Sequence, residues 1–141
     1  AWRVQLNEQW FLDGIASYVR GKRLDVDDNL YRLAPPNASV GLTRATAALS
    51  TTLEVVGYAK QDKVSSYNGE QETPGYGLVN LAAVWKPSDA LRLEARLDNA
   101  FDKTYQDHVA GINRANGSDI PVGVRLYGLE RTLSAGVVFS F

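Results

Sequence analysis

The sequence predicts an all-β fold, an antiparallel up-and-down meander of about seven strands, and three features of the chain carry that prediction. The first is strict alternation. In Leu91-Arg92-Leu93-Glu94-Ala95-Arg96-Leu97-Asp98 every odd position is apolar and every even one charged, which is the period of a strand lying between two different media. The second is a repeat of that pattern from Arg131 to Phe141: Leu133, Ala135, Val137, Phe139 and Phe141 share one face, and Thr132, Ser134, Gly136 and Ser140 the other. Only Val138 departs from it. The third is the rhythm of the connections, which run short, long, short, long, short, long, so that tight turns and polar loops fall at opposite ends of the strands.

In chain order, Ala1 to Leu6 alternates Trp2, Val4 and Leu6 against Arg3 and Gln5, and Asn7-Glu8-Gln9 turns it. Trp10 to Lys22 reads as the next strand, with Trp10, Leu12, Gly14, Ala16 and Tyr18 on one face. Leu24 to Asn37 is a long loop, because Pro35-Pro36 cannot sit in a central ladder. Its Asp25, Asp27 and Asp28 lack the glycine and distal glutamate of a calcium loop and read as hydrated charge. Ser39 to Arg44 is a short strand, with the tight turn between Thr43 and Ala48, and Leu49 to Lys60 follows. In that strand Leu53 and Val55 compete with Val56 and Tyr58 for the apolar face. Gln61 to Gly75 is the second long loop, marked by Asn68-Gly69 and Pro74-Gly75. Tyr76 to Trp85 sets Val79, Leu81, Ala83 and Trp85 against Leu78, Asn80 and Ala82, and Lys86-Pro87-Ser88-Asp89 closes it. Leu91 to Asn99 returns, Phe101 to Glu130 is the longest excursion, and Arg131 to Phe141 is the last strand.

Composition narrows the class further. A chain of 141 residues is one ordinary domain by size, and 15 basic against 16 acidic residues leave no bulk field to recruit nucleic acid. No run of 18 apolar residues offers a spanning helix, and Ala1-Trp2-Arg3 lacks the layout of a signal peptide. With neither cysteine nor methionine, the chain reads as excised from a longer one. No Gly-x-Ser-x-Gly elbow, phosphate loop or metal-binding histidine pair is present, so no catalytic residue, cofactor or resident metal is expected, and the protein is not read as an enzyme.

Short turns at one end of the strands and long loops at the other are what outer-membrane barrels show, with strands of about 9–11 residues tilted across the bilayer. Trp2, Trp10, Tyr18, Trp85, Phe139 and Phe141 fall near segment ends, where an aromatic girdle belongs. On this reading Leu91, Leu93, Ala95 and Leu97 face lipid, and Arg92, Glu94, Arg96 and Asp98 line a wet interior.

The residues at this point carry a resemblance. Asp98-Asn99-Ala100-Phe101-Asp102-Lys103-Thr104-Tyr105 resembles the Asn-Leu-Phe-Asp-Lys-x-Tyr stretch near the end of TonB-dependent outer-membrane receptors, with Asn99, Phe101, Asp102 and Tyr105 as the matching positions. Arg131-Thr132 running through a period-2 strand to Phe141 is similar to their last strand, and Leu33-Ala34-Pro35-Pro36-Asn37 to a proline-containing segment ahead of one of their strands. Ala100 replaces the usual leucine, and Tyr127-Gly128-Leu129-Glu130 replaces the usual Pro-Gly before Arg-Thr. The resemblance implies that residues 1–141 are the C-terminal part of a 22-stranded barrel with a plugged lumen, in the outer membrane of a Gram-negative cell. It implies active import of a scarce metal chelate or cofactor, with a siderophore, a corrinoid and another metal complex left open. It implies outer-membrane lipid as surroundings, the TonB complex as a partner reached through an N-terminal plug outside this chain, and the barrel-assembly machinery as the reader of Phe139 and Phe141.

Ligand contact is expected on the loops, since a rigid scaffold presents recognition on its connections. His108, Asn113, Arg114, Arg125 and Tyr127 offer donors and acceptors suited to a metal chelate, and Arg114 with Arg125 could clamp an anionic one. His108 is the only histidine, and without partner ligands it reads as an ordinary exposed loop residue. Tyr67 and Tyr105 read as membrane-boundary residues before ligand-stacking ones. Two alternatives stay open: a small structural or adhesive outer-membrane barrel, and a soluble β-sandwich binding module with two packed inner faces.

Overall fold

A computed structural model describes all residues, 1–141. Seven strands form one antiparallel sheet in sequence order: β1 Trp2–Gln5, β2 Trp10–Ser17, β3 Asn37–Ala45, β4 Leu49–Tyr58, β5 Tyr76–Ser88, β6 Leu91–Asp98 and β7 Thr132–Phe139. Each strand pairs with its sequence neighbours, so β1 and β7 are the two edges of an open sheet. Residues 18–36, 59–75 and 99–131 therefore emerge at one end, and the three tight turns at the other.

The register explains the alternation. Val4, Leu12, Leu42, Leu53, Leu81, Leu97 and Leu133 stand opposite one another in a continuous aliphatic row across all seven strands. Toward the turns lies a row of Trp10, Arg44, Thr51, Ala83, Ala95 and Ala135, and beyond it Leu49, Trp85, Leu93 and Val137. The opposite face carries Gln5, Phe11, Thr43, Thr52, Ala82, Arg96 and Ser134 in one row and Arg3, Asp13, Gly41, Glu54 and Asn80 in the next. A one-residue slip at any strand would exchange these faces, so the register holds only if the two sides meet different media.

No second layer covers either face. Twelve residues are buried and none of them is a large apolar one, while Leu133, Val137 and Phe139 are 74%, 69% and 64% exposed. Fully burying such a side chain is worth about 1.5–3 kcal/mol, so the aliphatic rows call for an apolar surrounding outside the chain. The β-sandwich alternative required an inner face packed on a second sheet, and the single sheet removes it.

Several strand limits differ from the sequence reading. β2 stops at Ser17, not Lys22, because its partner strand begins at Asn37 and the next residue back, Pro36, has no N–H to continue the ladder. β3 is longer than Ser39 to Arg44 at both ends. β4 ends at Tyr58 and settles the contest within it: Leu53 and Val55 take the aliphatic face, Val56 and Tyr58 the polar one. β5 runs through Pro87 to Ser88, because the register shifts between Trp85 and Ser88 and a proline is tolerated at such an irregularity.

Candidate functional site

The polar face of the sheet and the three long loops above it form one continuous surface. On the face, Arg96 pairs with Asp98 at 2.7 Å and with Glu54 at 3.5 Å, and Arg92 pairs with Glu94. Asn80 Nδ2 donates to Glu54 at 2.9 Å, and Asn80 Oδ1 accepts the Asn99 N–H at 2.9 Å. These side chains alternate with the leucines of the same strands, which is why a single period-2 pattern positions all of them. The ion pairs are about half exposed, so each contributes roughly 0–1 kcal/mol, and their role is to keep a charged wall ordered.

At the loop end of this face three tyrosines stack. Tyr58 and Tyr76, opposed across β4 and β5, have ring centroids 4.7 Å apart, and Tyr105 lies 4.5 Å from Tyr76. They border a hollow of about 390 Å³ that also meets Glu54, Arg96 and Asp107. Burial, with Asp107 beside it, raises the Tyr105 hydroxyl above its ordinary range. The phenol stays protonated and offers a hydrogen-bond donor and a π-face, not a phenolate ligand for a hard metal. Tyr105 thus stands on the polar face, contrary to its reading as a lipid-boundary residue. Tyr67, also read as a boundary residue, projects from the second loop at 73% exposure with the Arg23 guanidinium 4.4 Å from its ring.

The stretch that carried the family resemblance is a joint. Asn99 and Asp102 adopt left-handed φ of 51° and 54°, a conformation that asparagine and aspartate tolerate better than most side chains. Asn99 is 3% exposed; its Nδ2 donates to Lys103 O at 2.9 Å and Leu129 O at 3.3 Å, and its Oδ1 accepts from Lys103 N at 2.9 Å. Asp102 Oδ1 accepts from Arg131 N at 2.8 Å. Together they fasten the end of β6 to the start of β7 across the longest loop. Tyr105 completes the joint by lying on Gly128, where an added Cβ would come within 2.0 Å of its ring. Phe101 projects outward, 79% exposed, as do Phe139 and Phe141 at the chain end.

The loop candidates separate into two groups. His108 is 2% exposed, so its reading as an exposed loop residue is corrected: its Nδ1 is 3.0 Å from Thr73 Oγ1 and its Nε2 3.1 Å from Glu70 Oε1. Burial first, then the Arg125 charge, holds the imidazole below its ordinary pKa against the opposite pull of Glu70. Arg125 is 8% exposed and donates to Gln71 O at 2.8 Å. Asn113 bonds within its own loop, to Ala115 O at 3.1 Å and Ser118 Oγ at 2.8 Å. Arg114 lies near the surface against Tyr31, and Tyr127 is 60% exposed. Arg114 and Arg125 therefore sit in different environments.

Asp28 is a residue whose role the sequence concealed. Read as hydrated charge, it instead accepts from Ser65 Oγ at 2.7 Å, Ser66 N at 2.9 Å and Tyr67 N at 3.0 Å, tying the first long loop to the second. The Ser65 hydroxyl and those amides lower its pKa to about 2. Asp25 and Asp27 pair with Arg23 and Lys22 at the surface, as solvated charges do.

No protein-family model matches the sequence, and no curated protein matches it. Solved structures do. A copper transporter, OprC, superimposes on 99% of this chain with a TM-score of 0.87 at 25% identity. The chain matches a barrel segment of TonB-dependent receptors. The ferric enterobactin receptor PfeA of Pseudomonas aeruginosa, in a mutant form, covers the same 99% with a TM-score of 0.71 at 22% identity, and a complex of PfeA with BCV-L6 gives 0.72 at 21%. The chain spans only about a fifth of those proteins, 22% of the copper transporter and 21% of PfeA. The matched proteins are transporters and receptors, not enzymes. An open sheet with one aliphatic and one charged face is what an arc cut from such a wall looks like.

Proposed function

We propose that residues 1–141 form the C-terminal strands of an outer-membrane active transporter that binds and imports a scarce metal chelate or cofactor, energised through TonB. The observation that supports this reading is the superposition of nearly the whole chain on a copper transporter, together with a sheet that carries a leucine row on one face and an ion-paired wall on the other. In this reading the plug and its TonB contact belong to segments outside the chain. Lipid covers the row from Val4 to Leu133. Cargo meets the exposed loop residues Arg114 and Tyr127 and the luminal Tyr58, Tyr76 and Tyr105, whose hollow is of the size that binds small molecules. Aromatic faces suit a flat chelate better than a bare cation, since no group of three or more histidine, cysteine or acidic side chains could hold an ion.

The test is uptake of radiolabelled copper, ferric siderophore and corrinoid by cells that express the full-length protein, with and without TonB. Accumulation of one of them that disappears without TonB is expected; accumulation indifferent to TonB overturns the reading. Phe139 and Phe141 supply the assembly signal in the same reading. Removing Phe141 should lower the amount of protein at the cell surface severalfold while leaving cargo affinity per molecule unchanged, and unchanged surface abundance would contradict that role.

A further inference from the structure

Among the paired positions of the seven strands, the aliphatic face carries one ionised side chain, Arg44. It stands one residue before the end of β3, between Trp10 on β2 and Thr51 on β4, at the turn end of the sheet. The side chain is exposed and takes part in none of the ion pairs; its Nε and Nη2 reach only the neutral Gln9 Oε1, at 3.4 Å each. Two of its five N–H donors thus share one long contact, and the rest have no partner in the protein. An arginine among lipid tails is destabilising at the bilayer midplane and tolerated near the interface, where its long stem carries the charged head to polar groups. Beside Arg44 the face is hollowed. Thr51, Ala83 and Ala95 are small and lie between two rows of larger side chains, leaving an open trough of about 460 Å³ whose lining is apolar but for two threonines, with Trp10 as the wall next to Arg44.

We propose that Arg44 and the trough form a site for one anionic glycerophospholipid, its phosphate held by the guanidinium and one acyl chain laid along the trough. The planar guanidinium matches phosphate oxygens in a bidentate pair, and a headgroup of net negative charge balances a cation that nothing else on this face offsets. The turns of outer-membrane barrels are periplasmic, so the lipid belongs to the phospholipid leaflet, and lipopolysaccharide on the side of the long loops is out of reach. A second copy of the chain fits worse. A two-fold contact through this face would bring Arg44 against an aliphatic surface with no acidic side chain to meet it. The site requires the aliphatic face to stand in lipid and so rests on the outer-membrane reading above.

The test uses the full-length protein in phosphatidylcholine vesicles, with a single bimane-labelled thiol either at Val55→Cys, on the aliphatic face just beyond the trough, or at Leu133→Cys on β7. A minor fraction of phosphatidylglycerol with brominated acyl chains should quench the Val55→Cys label about fivefold more than the Leu133→Cys label, the factor that one cation beside an anionic headgroup gives. The excess should vanish in Arg44→Gln, persist in Arg44→Lys, and vanish again in Ala83→Trp, which keeps the charge but fills the trough. Equal quenching at the two positions, an excess that survives Arg44→Gln or Ala83→Trp, or an equal excess from brominated phosphatidylcholine would overturn the site and leave the barrel reading standing. Quenching of the Leu133→Cys label with none at Val55→Cys would place a second protein copy over the trough and overturn the site as well. Vesicles made wholly of brominated phosphatidylcholine separate the two levels: if they quench neither label, the face does not stand in lipid and the outer-membrane reading fails together with the site.

Discussion

Asn99 and His108 do opposite kinds of work with the same means, a buried side chain whose donors and acceptors are all engaged. Asn99→Ala would leave the Lys103 N–H and the Leu129 carbonyl without their partner and keep a left-handed φ that alanine resists, a loss of roughly 2–4 kcal/mol. Asn99→Gly should recover about 1 kcal/mol of it, since glycine accepts the backbone but not the hydrogen bonds. Urea unfolding of the refolded full-length protein measures both. For His108 the sign follows from its lowered pKa: the unfolded loop binds the proton more readily than the folded one. The contribution of His108 to loop docking is therefore present above about pH 6.5 and lost as pH falls from there through the folded value. The hydrogen-exchange protection factor in residues 101–130, which removes the intrinsic pH dependence of amide exchange, should fall between pH 7.5 and 5.5 in the wild type and stay flat in His108→Gln. A wild-type loop indifferent to pH would show that the buried imidazole is not linked to docking. Neither role was legible in the sequence. A lone histidine, or one aspartate of three in a polar stretch, looks the same whether solvated or engaged, because what engages His108 and Asp28 is the packing of loops 35 to 40 residues apart.

The strands were far more legible, for a reason visible at Leu53 and Thr52. Period-2 alternation needs no knowledge of neighbours, so β6 and β7 could be read residue by residue, including which side of each is aliphatic and which is polar. β4 could not, because Leu53, Val55, Val56 and Tyr58 are all apolar in part, and only the register against Leu42 and Leu81 separates them. The strand ends depended on partners too: Pro36 limits β2 from across the ladder, and the irregularity at Trp85 lets β5 absorb Pro87. This assignment of faces has a measurable consequence. Leu53→Arg places a charge in the central aliphatic row and should cost about 2–4 kcal/mol in a bilayer. Ser50→Arg, on the other face in the row that includes Glu94, should change stability by no more than about 1 kcal/mol. Chemical unfolding of the full-length protein in lipid vesicles compares them directly, and equal costs would mean that the two faces do not see different media.

At the scale of the whole molecule, the sheet holds itself together in one direction only. Every interior strand finds two partners, although β2 meets β1 only from Phe11 to Gly14 and β5 meets β6 only from Leu81 to Ser88. β1 and β7 have one partner each, and β1 is only four residues long. Two unpaired edges in an apolar medium cost several kcal/mol for each unsatisfied backbone group, and in water they are templates for pairing with other copies. Complete barrels avoid both costs by closure, and that closure is the source of their resistance to heat in detergent. Residues 1–141 produced alone and refolded into detergent should therefore migrate on a gel at the same position with and without boiling, and should unfold without a sharp transition. On the proposed function β1 and β7 gain neighbours in a closed barrel, and the full-length protein should then shift between a fast folded band and a slow boiled one. A heat-modifiable, cooperatively melting band from the 141-residue chain would mean that its edges find each other or another copy, and the open arc would then be the wrong state to reason from.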